Sequence, residues 1–308
     1  MKGVCYVYDS PLWGLVMTRS QIEKDLRLMK EAGCNAVRCH YPMDELFYDV
    51  CDRLGLLVWI EIPVYCYHPD DKEKGTHFSD PQWLSLAKQT AVEMITVARN
   101  HPSVAIYSIG NECNTSNSEA DSFFRKLADT VRNEDSTRLI SYAALYGNVG
   151  TIGDIVDVLG INSYWGWYDK IWGGKGLEPV DAQQNIRIEK EPIDLTPMRK
   201  MIDEVLAKKR NIVLLMTEFG ADSVKGNYSS SRKMWSEDYH ADLLKEIFKL
   251  VKEYPQIAGT FPFCFCDYRD PSKVHNGFWN EFNLKGIVDY KRRKKKAFRA
   301  VQEEYTTS

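Results

Sequence analysis

Short runs of β-branched and aromatic residues alternate along the chain with longer stretches whose apolar positions recur at helical spacing. Eight of the short runs read as strands: Gly3 to Tyr8, Ala36 to Arg38, Leu56 to Ile62, Val104 to Ile109, Leu139 to Tyr142, Val156 to Asn162, Ile212 to Thr217 and Ala258 to Phe263. The stretches between them read as helices: Ser20 to Ala32 with a Ser20 cap and a Glu23 capping box, Asp44 to Leu54 stopped by Gly55, Pro81 to Asn100, and Ser118 to Arg132. Pro197 to Lys209, Ser236 to Lys252 and Lys291 to Tyr305 follow; only the step from the fifth strand to the sixth lacks a helix. Alternating strand and helix predicts an α/β fold with a parallel sheet, and eight such units close into a single-domain (β/α)8 barrel. The irregular stretch from Trp165 to Asp194 is expected as a long loop over the top face. An open doubly wound sheet is the alternative. It wants a Gly-rich phosphate loop after the first strand, whereas Gly173-Gly174-Lys175-Gly176 follows an aromatic loop and reads as a flexible turn.

Composition adds limits rather than a function. With 308 residues, 44% of them hydrophobic, the chain can bury one large core. A formal net charge of -3 offers no general attraction for nucleic acid or a membrane surface. The basic run Lys291 to Lys296 reads as the solvated face of the last helix. Eight cysteines lack zinc-type spacing and read as free thiols of a reducing compartment, so a cytoplasmic location is the expectation. No apolar run is long enough to span a bilayer.

Candidate chemistry collects at the predicted strand ends: Asp9, Arg38 with His40, Glu61, Asn111 with Glu112, Tyr142, Asn162 with Tyr164, Glu218 and Phe263. Barrel enzymes place their reactive groups at this face. HPSVAIYSIGNEC (101–113) and VLLMTEFGAD (213–222) share one pattern, a buried apolar strand broken off at a carboxylate beside a glycine. Two glutamates at opposed tips suit glycoside hydrolysis, in which one carboxyl is protonated to assist the leaving oxygen and the other is ionised. A separation of about 5 to 5.5 Å implies retention through a covalent intermediate. The bland alternative for each is a cap or an ion-pair partner. Arg38 has two readings, a structural pair with Glu61 or a cation that keeps Glu218 ionised. His40 is a structural histidine or a substrate contact, while His68, His77, His101, His240 and His275 lack partners at motif spacing. Tyr164, Trp165, Trp167 and Tyr168 are either core filling or a sugar platform.

AGCNAVRCHYPMDELFYDVCDRLGLLVWIEIP, NHPSVAIYSIGNE and TEFGAD together resemble the TIM-barrel catalytic domain of glycoside hydrolase family 2, over essentially the whole chain. The resemblance implies a retaining exo-β-glycosidase acting by double displacement without metal or organic cofactor. Glu112 would be its acid/base and Glu218 its nucleophile. Asn111 would bind the sugar 2-hydroxyl, and Tyr164 would orient Glu218 with Arg38 in support. NSYWGWY, MWSEDYH and FNLKGI are most similar to β-glucuronidases, which implies that Asn283 and Lys285 grip a uronate carboxylate. The implied substrate-binding set is thus Asn111, Tyr164, Tyr168, Arg38, His40, Phe263, Asn283 and Lys285, and the implied partner is a carbohydrate. The chain departs from that pattern at Val7, where a His is expected, at Phe263, where a Trp is expected, and at Trp279, where an Arg is expected; the second motif is shortened to Arg38-Cys39-His40. The β-sandwich domains that family members carry ahead of the barrel are not found in the sequence, which reads as an excised catalytic module; the full-length protein is a candidate homo-oligomer. The alternatives are a neutral-sugar β-galactosidase type and a barrel that binds carbohydrate without turning it over.

Overall fold

The structure, a computed structural model, describes residues 1–66, 77–171, 193–209, 212–273 and 281–307. Eight parallel strands form one sheet in sequence order: β1 (Gly3–Tyr6), β2 (Ala36–Cys39), β3 (Leu57–Glu61), β4 (Val104–Asn111), β5 (Leu139–Leu145), β6 (Val158–Asn162), β7 (Val213–Glu218) and β8 (Ile257–Thr260). The last returns to the first through a parallel bridge between Lys2 and Thr260 and the bonds Thr260 N–H to Met1 O (3.0 Å) and Cys5 N–H to Pro262 O (3.1 Å). The sheet therefore closes into the expected (β/α)8 barrel. Its helices are α1 (Arg19–Glu31), α2 (Glu45–Leu54), α3 (Pro81–Ala98), α4 (Ser118–Glu134), a short α5 (Tyr168–Ile171), α6 (Thr196–Lys208), α7 (Glu237–Val251) and α8 (Lys296–Thr307). Between β5 and β6 there is only a single 3-10 turn, Ile152–Asp154, so the helix missing from the sequence pattern is missing in the fold. Among the described residues no helix is long and apolar enough to cross a membrane.

Strand alternation sorts side chains into two cores. Val4, Val37, Val58, Leu159 and Met216 point outward and join the layer under the helices. Cys5, Ala36, Trp59, Ile106, Val158 and Leu215 point inward and fill the lumen. Trp59 occupies so much of that space that residue 160 has to be glycine: a Cβ there would stand 2.7 Å from Thr217 Oγ1 and 3.0 Å from the Trp59 ring. Above this apolar floor the inward positions become polar, namely Arg38, Glu61, Ser108, Asn162 and Thr217, all buried.

Several local expectations shift. Helix α1 is capped by Thr18, whose box partner is Gln21, and not by Ser20 with Glu23; the capping geometry simply sits two residues earlier. Tyr142 is not a tip residue, because β5 runs on to Leu145; its hydroxyl lies inside, accepting from Cys113 N–H at 2.6 Å. Phe263 and Asp9 lie beyond the ends of β8 and β1. Asp9 is a structural anion that accepts from the Arg269 backbone and guanidinium (2.7 and 3.1 Å). The largest correction concerns Lys291 to Lys296. Helix α8 begins only at Lys296; in the turn ahead of it Lys291, Arg293 and Lys294 are exposed as expected, whereas Arg292 is drawn onto Asp25 and Lys295 is buried against Asp267. Lys296, the first residue of α8, pairs with Asp238. A charge run looks the same in sequence whether water or carboxylates receive it. All eight cysteines are free thiols, and seven of them are buried.

Candidate active site

The reactive candidates are re-aimed by irregularities in the sheet. In β4 three residues, from Ser108 to Asn111, advance against two steps of β5, from Ser141 to Ala143. In β7, Asn162 of β6 faces Glu218 where strict register would give Thr217. With Leu215 and Thr217 inward, plain alternation would turn Glu218 outward; the shift directs it into the mouth of the barrel. Glu112 follows β4 with φ at 55°, a left-handed conformation uncommon outside glycine that swings its carboxyl toward the same space. The Gly110 ahead of it is packed so closely that a Cβ would come within 2.9 Å of Val64 O.

Arg38 is the hub of the cluster and is fully buried. Its Nη1 donates to Glu218 Oε1 at 2.7 Å, and its Nη2 donates to Asn111 Oδ1 at 2.8 Å and lies 3.3 Å from Glu61 Oε2. Arg38 thus pairs with both Glu61 and Glu218. His40 spans the same two carboxylates, with Nδ1 3.2 Å from Glu61 Oε1 and Nε2 3.3 Å from Glu218 Oε1. Burial opposes ionisation of Glu61, but the guanidinium, His40 and the Ser108 hydroxyl (2.6 Å) outweigh it and hold the carboxyl below its usual range. Tyr164 donates its hydroxyl to Glu218 Oε2 at 2.7 Å. The Asn162 amide donates to Glu112 Oε1 (2.7 Å) and to Asn111 Oδ1 (2.9 Å), and is itself held by the Thr217 hydroxyl at 2.7 Å. Burial first, and then the charge of Glu218, push the Glu112 carboxyl up to about 7. The Cys66 thiol points at its other oxygen, 3.7 Å away.

These groups open on a cavity of about 1000 Å3 lined by His40, Asn111, Glu112, Tyr164, Glu218 and Phe263, among others. Tyr168 and Asn283 also line it, on the wall beyond Tyr164. Lys285 does not: it is fully buried behind that wall, paired with Asp222, and surrounded by the rings of Tyr168, Tyr164 and Trp167 at 4.6 to 5.9 Å. Asn283 accepts the Lys285 backbone N–H (3.2 Å) and donates to the Tyr268 hydroxyl (3.2 Å). The aromatic stretch divides: Tyr164, Trp165 and Tyr168 face the cavity, while Trp167 is core, 4.9 Å from the Trp235 ring. Val7 lines the cavity where a His was expected; Trp279, His68, His275, the glycine turn 173–176 and most of the loop to Asp194 lie outside the described residues. His101 pairs with Asp52 (2.7 Å) and His240 with Ser223 (3.0 Å), both away from the cavity. Sequence reasoning gave no role to Ser108, Asp222 or Lys273. Asp222 was in view, four residues beyond Glu218 in the same motif, but Lys273 carried no signal.

The family model for the TIM barrel domain of glycosyl hydrolases family 2 matches residues 1–308. The chain therefore belongs to glycosyl hydrolase family 2. Among its relatives is a β-glucuronidase of Paenibacillus borealis, 27% identical over 311 residues that cover 99% of this chain and 48% of that protein. A β-galactosidase of Lactococcus lactis is 37% identical over 143 residues, 46% of this chain and 14% of the relative. A solved family 2 β-galacturonidase from Eisenbergiella tayi, bound to galacturonate, matches with a TM-score of 0.83 at 27% identity, covering 100% of this chain and 51% of that one. The chain spans about half or less of the length of the curated relatives it matches, 48%, 34% and 40% for the first three.

Proposed function

We propose that the barrel hydrolyses terminal β-glucuronides as a retaining exo-glycosidase, by double displacement through a covalent glycosyl-enzyme. The observation that carries this reading is the unequal treatment of two carboxyls in one cavity. Glu218 accepts hydrogen bonds from a guanidinium and a phenol, whereas Glu112 is pushed up to about 7 by burial and by Glu218. The first suits a nucleophile and the second a general acid at neutral pH.

In the first step Glu218 attacks the anomeric carbon while Glu112 gives its proton to the glycosidic oxygen. The aglycone leaves as a neutral alcohol and Glu218 becomes an ester. Burial of Glu112 persists, but glycosylation removes the Glu218 charge that adds to it, so the carboxyl falls and accepts a proton from the attacking water. Water then takes the anomeric carbon from the other face, restores the Glu218 carboxylate and leaves the configuration retained. Asn111 accepts two hydrogen bonds at Oδ1, from Arg38 and Asn162, which turns its amide NH2 toward the sugar as the donor for the 2-hydroxyl.

The uronide assignment is supported by the names of the relatives, a β-glucuronidase and a β-galacturonidase, and by the cationic wall beyond Tyr164. A neutral-sugar reading is favoured by the stretch shared with the β-galactosidase. Chromogenic β-glucuronide, β-galacturonide and β-galactoside separate the two by kcat/KM. Glu218→Ala is expected to lower turnover by on the order of 10^4-fold or more, with azide restoring product as a glycosyl azide of inverted configuration. Wild-type-like turnover in that variant would sink the assignment.

A further inference from the structure

Two ammonium groups converge on the Tyr168 hydroxyl, Lys285 and Lys273, each at 2.8 Å. They differ in what neutralises them. Lys285 is ion-paired with Asp222, and Asp222 is held in place by a further bond from the Leu284 N–H at 2.8 Å. Lys273 is only half-buried, lines the cavity, and has its ammonium 5.0 Å from the Tyr168 ring centroid; no described carboxylate is paired with it. The other cavity-lining cation among the described residues, Arg269, is met by Asp9 at 3.1 Å. Of the two lysines, Lys285 is the one ion-paired with Asp222, and Lys273 is the one that lines the cavity, where Asp169 and Asp270 also stand.

The position of that charge fits the substrate's shape. A β-uronide carries its carboxylate on C5, across the ring oxygen from the anomeric carbon. From Glu218 the cavity wall runs through Tyr164, whose hydroxyl is 2.7 Å from Glu218, to Tyr168, whose ring centroid is 5.0 Å from that of Tyr164, and ends at Lys273. A sugar with its anomeric carbon at Glu218 lays its charged end along this wall. Lys285 does not line the cavity, and its charge is already met by Asp222.

We infer that Lys273 is a specificity-determining residue of the site: its ammonium takes the ion pair with the carboxylate of a β-uronide, while Lys285, locked to Asp222, is a positioning residue that holds Tyr168. This inference rests on the β-uronide reading above. It extends the carboxylate grip beyond Asn283 to a lysine in the same connection between β8 and α8.

The test is steady-state kinetics on 4-nitrophenyl β-D-glucuronide and the 4-nitrophenyl β-D-galactoside, for the chain as it stands. Lys273→Met is expected to raise KM for the glucuronide and lower its kcat/KM by about 10- to 100-fold, the worth of one charge-assisted hydrogen bond. It should leave the galactoside within about threefold, and Lys273→Arg should restore most of the loss. Lys285→Met should lower kcat on both sugars. Glucuronide turnover untouched by Lys273→Met, with selective loss in Lys285→Met instead, overturns the inference alone. A wild-type chain that cleaves only the galactoside overturns the uronide reading with it. For a chain without turnover, calorimetric titration with D-glucuronate against D-glucose reads the same contrast: a preference abolished by Lys273→Met supports the inference, and an unchanged preference overturns it.

Discussion

The two ends of the cavity are built on opposite stoichiometries. Around Arg38 one guanidinium is shared between two carboxylates, Glu61 and Glu218; around Asp222 one carboxylate is ion-paired with Lys285 and lies close enough to Lys273 to be held ionised by both. All are withdrawn from solvent except Lys273, so burial does not distinguish the ends. Their own balance does: Arg38 with Glu61 and Glu218 leaves one formal negative charge, and Asp222 with Lys285 and Lys273 leaves one positive. Buried ion pairs contribute little net stability, because desolvation offsets most of their attraction. What such clusters can contribute is a fixed field. Here the first field surrounds the proposed nucleophile, and the second borders the wall proposed to meet a substrate carboxylate.

Three substitutions probe this contrast, beginning with the largest expected effect. Glu112→Gln removes the group that responds to the negative end. A fall in kcat/KM of about 10^2- to 10^4-fold is expected, smaller for an aglycone that departs without protonation. In the wild type, kcat/KM should decline tenfold per pH unit above about 7, where Glu112 loses its proton; an alkaline limb unchanged in Glu112→Gln would assign it to another group. The same shift bears on stability. The folded-state value lies above the unfolded one, so the folded protein becomes less stable as pH rises from about 4.5 through about 7. Glu112→Gln should therefore raise the melting temperature at pH 8 and leave it unchanged at pH 4.

Next is Arg38→Met, which leaves Glu61 and Glu218 buried without their shared cation. Loss of about 3–5 kcal/mol of unfolding free energy is expected, measured by urea titration at pH 7. Adding Glu61→Gln should recover part of that loss, because it removes one of the stranded charges. An Arg38→Met chain as stable as the wild type would mean that His40 alone can hold both carboxylates.

Asp222→Asn breaks the opposite end and is expected to have the smallest effect, toward the lower end of the same about 3–5 kcal/mol range, since a stranded lysine can shed its proton. Burial opposes ionisation of Asp222, but Lys285 and Lys273 more than offset it and hold the carboxyl below its usual value. Its contribution is thus present above the unfolded value and is lost as pH falls through the folded one. Urea titrations should show the deficit at pH 7 and a closing gap below about pH 4. A deficit that persists into acid would mean that Asp222 acts through its bond to Leu284 N–H rather than through its charge.

Much of this was legible before any coordinates. Strand positions and the two carboxylates at their tips are local features, written in runs such as VAIYSIGNE and VLLMTE, and most element ends lie within a few residues of the pattern. Six of the seven strand-to-strand steps were matched to helices, a further helix was placed after the last strand, and the one step left without a helix has none. Misreadings cluster where a residue's partner is remote. Arg292 and Lys295 read as part of a solvated face because their partners, Asp25 and Asp267, sit far from them in sequence. For Lys285, expected to grip a uronate carboxylate, nothing in FNLKGI reveals the pairing with Asp222.

The sequence by itself determined the barrel and the identity of the two glutamates, since periodicity and strand ends depend on neighbours along the chain. Tertiary structure alone decided which way the tips face and how charge is shared among them. A register shift of one residue turns Glu218 from the helix layer to the cavity, and no periodicity records it. Likewise a single guanidinium drawn from β2 can bond residues of β3, β4 and β7 only once the sheet has closed, because the lumen is the one place where those strands meet.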